Sequence, residues 1–159
     1  MEIFLQAADV LNFAVRIEED GEAFYRKAAV EAKEGAIKKL FVRLADEEVK
    51  HKKVFHDMLS KIDEYRPTES YGGEYMAYLR DYLDGKIVFT KEAEKNRLSV
   101  GNDALSAIDF AIQRELDSVL YYQELRQFIM ERQRGIVDDV IAEERKHFAL
   151  LAEAKKNYK

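Results

Sequence analysis

Glu144-Arg145-Lys146-His147 and Glu48-Val49-Lys50-His51 are the stretches whose reading decides the fold. A Glu and a His three residues apart in a helix point from the same side. Each pair falls on an apolar stripe, where an isolated charge is costly. The sequence has only three histidines, and two of them sit in this arrangement. A single Glu-x-x-His is weak in a Glu-rich chain; its repetition in register with two core stripes makes it specific. Two such pairs on inward helix faces are the di-metal signature of a carboxylate-bridged four-helix bundle.

Working outward, the C-terminal pair belongs to a predicted helix over roughly 136–157. Its stripe is Val137, Val140, Glu144, His147, Leu151 and Ala154, in steps of three and four. Gly135 is read as the break before it, and Asn102 as the cap of a helix reaching Arg132. That third stripe is Ala104, Ile108, Ala111, Glu115, Ser118, Tyr122, Leu125 and Ile129, with Glu115 as its buried carboxylate. The other Glu-x-x-His lies on a second helix, roughly Ala36 to Tyr65, ended by Pro67. Its stripe is Ile37, Phe41, Leu44, Glu48, His51, Phe55, Met58 and Ile62. The first helix, roughly Ile3 to Ala32, carries Phe4, Ala8, Leu11, Val15, Glu18, Glu22, Tyr25 and Ala29, with Gly35 as a stop signal. A parallel stripe of Ala14, Ile17, Gly21, Phe24 and Ala28 widens its buried face.

An internal repeat follows from this register. Glu18 and Tyr25 recur 97 positions later as Glu115 and Tyr122; Glu48 and His51 recur 96 positions later as Glu144 and His147. Each half is a helical hairpin that cannot bury its apolar face alone, so the halves should pack together. The expected arrangement is one all-α domain over 1–159. It has a first hairpin at 3–65, a crossover at 66–101 and a second hairpin at 102–157. The crossover is punctuated by Gly72, Gly73 and Gly85, with short helices expected after Gly73 and after Thr90. The Tyr75, Tyr78 and Tyr82 cluster within it reads as packing or a dimer contact.

The candidate metal ligands are therefore Glu18, Glu48, His51, Glu115, Glu144 and His147, with no catalytic residue beyond them. Glu22 also touches the first stripe and is the rival to Glu18, but its counterpart in the third helix is Val119. Tyr25 and Tyr122 read as core aromatics within reach of a ligand carboxylate. His56 falls on another face and reads as a surface residue. Four carboxylates and two imidazoles without a thiolate favour iron or manganese, with zinc a substitute. Four glutamates nearly neutralise two divalent ions, which makes burial of the site feasible.

Composition agrees with this reading. Hydrophobic content of 47%, charged content of 36%, one Pro and seven Gly suit a helical globular domain. A formal net charge of −5 without a Lys/Arg block argues against nucleic acid as partner. The absence of cysteine excludes disulfides, Cys-bound zinc, a thiol nucleophile and any Cys-held iron centre in this sequence, and it fits a cytoplasmic location. No basic n-region precedes Leu11, so no signal peptide is expected, and no apolar run suits a membrane helix.

The run Ile17-Glu18-Glu19-Asp20-Gly21-Glu22-Ala23-Phe24-Tyr25, then Leu44-Ala45-Asp46-Glu47-Glu48-Val49-Lys50-His51, resembles the first half of a rubrerythrin-type ferritin-like domain. Glu115 to Tyr122, then Glu143-Glu144-Arg145-Lys146-His147, resemble its second half. The resemblance implies an antiparallel four-helix bundle of two hairpins, a long crossover and a non-haem centre of two iron ions. Glu18 and Glu115 match its terminal ligands, and Glu48 and Glu144 its bridges. It further implies an oxidoreductase that reduces peroxide or dioxygen. Alternative roles are a ferroxidase or iron-handling protein, and a metal-stapled interaction module without turnover. Rubrerythrins proper carry a Cys-bound iron, which this sequence cannot hold, so electrons are expected from a separate donor protein. Ser118 stands where the family has a further glutamate one turn after Glu115, leaving one partner of the family's iron movement absent. Bundles of this kind often pair through helix faces, so a homodimer is expected.

Overall fold

The computed structural model describes residues 7–62, 77–78, 81 and 103–158. Among these, four long helices form: α1 (Ala7–Glu31), α2 (Gly35–Ser60), α3 (Ala104–Leu125) and α4 (Glu131–Asn157). They build a ferritin-like antiparallel bundle of two hairpins, α1 lying along α2 and α3 along α4, with α1–α3 and α2–α4 contacts joining the halves. Most of the crossover, including the short helices expected there, lies outside the described residues. Ala77, Tyr78 and Asp81 are helical, and Tyr78 is exposed.

Most of each stripe is buried as read; Phe4 lies outside the described residues, and Ala8, Glu22, Ile62, Ala104 and Ala154 are half-buried. Leu11, Val15, Glu18, Tyr25 and Ala29 are buried on α1, as are Ala14, Ile17, Phe24 and Ala28 beside them. On α2 the buried residues run Ile37, Phe41, Leu44, Glu48, His51, Phe55 and Met58. The apolar interior divides into two clusters. One holds Val10 to Ile17 of α1, Phe55 and Met58 of α2, Tyr121 to Leu125 of α3, and Val137 to Ile141 of α4. The other holds Phe24 to Ala29, Ile37 to Ala45, Ile108, Ala111 and Leu151. Between them each helix contributes polar side chains at the same depth: Glu18, Glu48 with His51, Glu115, and Glu144 with His147.

The ends of the helices differ from the sequence reading in four places. α3 is capped by Asp103, whose carboxylate accepts from the Ser106 N–H at 2.7 Å, in place of the expected Asn102. α2 closes at Ser60, before Tyr65 and without reaching Pro67. Lys61 leaves the helical region, and the last N–H groups turn back onto Met58 and Leu59 carbonyls. Gly35 opens α2 rather than stopping α1, which ends at Glu31.

The fourth difference is the α3–α4 break. It falls at a single 3-10 turn, Arg126–Phe128, followed by an extended Ile129, and Gly135 lies inside α4. The reason is packing. The turn delivers Phe128 and Ile129 into the first apolar cluster, where both are buried. Gly135 is exposed, with open space around the position of a Cβ. No conformational demand holds glycine there, so it costs helix stability without a steric return. Gly135→Ala should raise the unfolding free energy by about 0.5–1 kcal/mol, read from the urea midpoint at unchanged m-value.

Candidate metal centre

All six candidate side chains meet in the polar layer. Glu18, Glu48, His51 and Glu144 form one quartet, and Glu48, Glu115, Glu144 and His147 a second. Within each, one ligand atom per residue lies within 4.8 Å of the others. Glu48 and Glu144 belong to both quartets, while Glu18 with His51 and Glu115 with His147 each belong to one. Every member is buried. The His51 and His147 rings lie 5.5 Å apart. His51 Nδ1 is 2.7 Å from Glu144 Oε1 and 3.6 Å from Glu18 Oε2. His147 Nδ1 is 3.6 Å from both Glu115 Oε2 and Glu144 Oε2.

The helices produce this convergence from simple spacing. Glu48 and His51, and Glu144 and His147, are one turn apart on their helices, so each pair projects inward together. Glu18 and Glu115 come from the facing helices. The two tyrosines then cross between hairpins. Tyr25 on α1 donates its hydroxyl to Glu115 on α3, and Tyr122 on α3 donates to Glu18 on α1. Each tyrosine thus fixes the carboxylate of the opposite half through its Oε1.

Several polar atoms of the layer make no well-formed hydrogen bond: Oε2 of Glu18 and Glu115, both oxygens of Glu144, Nδ1 of His51 and both ring nitrogens of His147. Buried polar atoms are normally satisfied. Unpartnered carboxylate oxygens and imidazole nitrogens converging from four helices fit a pair of cations. The donor set is hard oxygen and borderline nitrogen, the chemistry of iron, manganese or zinc.

Glu22, the rival to Glu18, is half-buried and outside the centre. It pairs with Lys52 at 3.0 Å and with Arg26 at 3.6 Å. His56 is exposed. One residue of the layer was not anticipated. Arg114 is buried, its Nη1 lying 3.5 Å from Glu48 Oε1 and 4.0 Å from Glu115 Oε1. A signal for it exists in the repeat: position 114 answers to Ile17, 97 residues earlier, on the widened buried face of the first helix.

Crowding of charge sets the protonation of the metal-free centre. Burial, reinforced by Glu18 and Glu144, pushes the Glu48 carboxyl well above the usual range. Burial and Glu144 raise Glu115 to about 8. Burial also works against the charge of Glu144, but the Glu115, His147 and His51 groups beside it outweigh that and hold the carboxyl well below the usual range. For His51 burial opposes the imidazolium, and the Glu144 and Glu18 carboxylates override it, raising it to about 11. His147 is raised to about 10 by Glu115 and Glu144 against the same burial.

A family model described as Rubrerythrin matches residues 9–155. Among solved structures, a Thermotoga maritima chain described as a ferritin-like diiron-carboxylate protein is similar to this one. The two share 29% identity, the match covers 97% of each chain, and the TM-score is 0.75. No curated protein sequence matches the chain.

The raised imidazoles give a pH dependence with a definite sign. Their contribution to the metal-free fold is complete below the ordinary imidazole pKa of about 6.5. It is lost as pH rises through about 10 to 11. Glu115, raised to about 8, acts in the same direction. The metal-free protein should therefore melt at progressively lower temperature from about pH 7 to 10, whereas the ion-loaded protein, with imidazoles deprotonated by coordination, should lack that slope. Calorimetry of both forms across the range checks this.

Proposed function

The chain belongs to the rubrerythrin family, and from that premise we propose that it is a di-iron carboxylate oxidoreductase that reduces peroxide or dioxygen with electrons from a separate donor protein. The observation that carries this reading is the pair of buried quartets sharing Glu48 and Glu144, with their unpartnered atoms converging on one place. Glu18 and His51 would hold one ion, Glu115 and His147 the other, and Glu48 and Glu144, common to both quartets, would be shared between them. A bound iron pair supplies one electron per ion, enough for the two-electron, two-proton cleavage of a peroxide O–O bond.

The chain's own residues do the rest. The two apolar clusters above and below the layer exclude bulk water from it. Tyr25 and Tyr122 keep their protons, because burial and the adjacent Glu115 and Glu18 carboxylates raise their hydroxyls well above the ordinary phenol range. They therefore remain donors, and hold Glu115 and Glu18 in one orientation. Without cysteine among these residues, no thiolate-held centre in them relays electrons, which supports an external donor.

Native protein should bind two ferrous ions per chain and, with a reductant supplied, consume hydrogen peroxide. Glu144→Ala removes a bridge and should lower turnover by at least about 100-fold, with metal analysis falling below two ions per chain. Full-rate peroxide consumption by chelated protein, or ferrous oxidation that ends in retained ferric mineral without peroxide turnover, would count against the reading.

Replacing either tyrosine tests the carboxylate clamp separately. Tyr25→Phe deprives buried Glu115 of its donor and should destabilise the metal-free protein by about 1–3 kcal/mol, measured by chemical denaturation.

A further inference from the structure

The ligand set leaves one buried charge unexplained. The Arg114 side chain is almost completely enclosed. Its Nη2 donates to the Ile17 carbonyl at 2.5 Å, and its guanidinium carbon lies 5.9 Å from the Tyr25 ring centroid. Its Nε has no partner. The anions beside Nη1 are Glu48, at 3.5 Å, and Glu115, at 4.0 Å. Both are members of the quartets, and Glu48 belongs to both. The guanidinium and a metal pair therefore draw on the same negative charge.

The seat for this cation is built by the opposite hairpin. A Cβ on Gly21 of α1 would come within 2.1 Å of Arg114 Nη2, so glycine keeps that space open. Position 21 answers in the repeat to Ser118, and position 17 to Arg114 itself. The two hairpins thus match in their candidate ligands and differ here. One half supplies a long cation; the other supplies a glycine and the Ile17 carbonyl to receive it. A neutral apolar side chain, like Ile17 at the equivalent position, would have met the packing need alone. A guanidinium surrounded by carboxylates is instead placed for electrostatics.

We propose that Arg114 is an internal counter-cation of the metal centre: its guanidinium faces the Glu48 and Glu115 carboxyls when ions are absent, and it opposes divalent ions when they bind. The inference rests on the metal-binding reading above, and concerns what sets affinity rather than which residues ligate. A fixed positive charge beside the shared carboxylate weakens metal binding and gives the empty centre a cation of its own. The centre then loads and unloads without the bundle collapsing. An arginine guanidinium stays charged at any pH at which the protein is folded.

The test uses zinc, a redox-silent divalent ion, in competition with a chromogenic chelator, alongside melting curves of metal-free and zinc-loaded protein. Arg114→Met keeps the length and removes the charge. It should bind zinc at least about tenfold more tightly, the scale on which one nearby unit charge acts, and should melt at a lower temperature than wild type only when metal-free. Arg114→Lys keeps the charge and should stay within a few-fold of wild type. Equal loss of melting temperature with and without zinc, or unchanged or weaker zinc affinity in Arg114→Met, would mean the residue only packs, and would overturn the proposal. If Arg114→Met folds only with zinc present, the counter-cation role is supported in its strongest form. Wild-type protein that binds no zinc at this centre would instead sink the metal-binding reading itself.

Discussion

Placing four carboxylates, two imidazoles and a guanidinium in one dry layer is the constraint on which the rest of this structure depends. Glu48 and Glu115 have lost water and gained like-charged neighbours, and both effects disfavour their ionisation. The metal-free protein distributes the cost: Glu48 and Glu115 rise in pKa, Glu144 stays ionised against two imidazolium rings, and Arg114 stands beside Glu48. A layer of this kind is unfavourable unless cations complete it. That is why the geometry points toward metal, and why the arginine in it needs a separate reason.

The apolar clusters on either side are what make the layer rigid. Phe55 packs on Tyr122 at 5.0 Å and Tyr25 on Phe41 at 6.0 Å, so the two tyrosines are held by rings of α2 while their hydroxyls cross to the opposite hairpin. Each hydroxyl is tied to a carboxylate in the other half. The hairpins are thereby fastened together by polar bonds at the depth where hydrophobic packing is interrupted. The arrangement is nearly symmetric, as a repeated hairpin requires, and the Gly21–Arg114 contact is where symmetry fails.

For a member of the rubrerythrin family, such asymmetry bears on function. Glu18 with His51 and Glu115 with His147 are supplied alike by the two hairpins. The cation stands beside Glu48 and Glu115 and is remote from any mirror-related guanidinium, since the equivalent position is Ile17. Ser118, buried with its hydroxyl unpartnered, lies on the same helix one turn further on. The two departures fall on α3, the helix that also supplies Glu115.

Much of this was legible in the sequence because it depends on periodicity. Steps of three and four placed Glu18, Glu48, His51, Glu115, Glu144 and His147 on buried stripes, and the offset of 96 or 97 residues tied the halves together. The four helices and the depth of the polar layer follow from local spacing alone. Helix ends did not follow, because they are decided by what the connecting residues pack against. Phe128 and Ile129 turn into the core and end α3 well before Gly135, and Asp103 rather than its neighbour reaches the Ser106 N–H. The burial of Arg114 was not read from the sequence for a related reason. Its burial depends on a space left by Gly21 on another helix, and a long cation off the main stripe otherwise reads as solvated. Sequence periodicity sets which side of each helix is inward. Only the packed bundle decides which inward-facing groups meet across it, because that depends on the volume the partner helix leaves free.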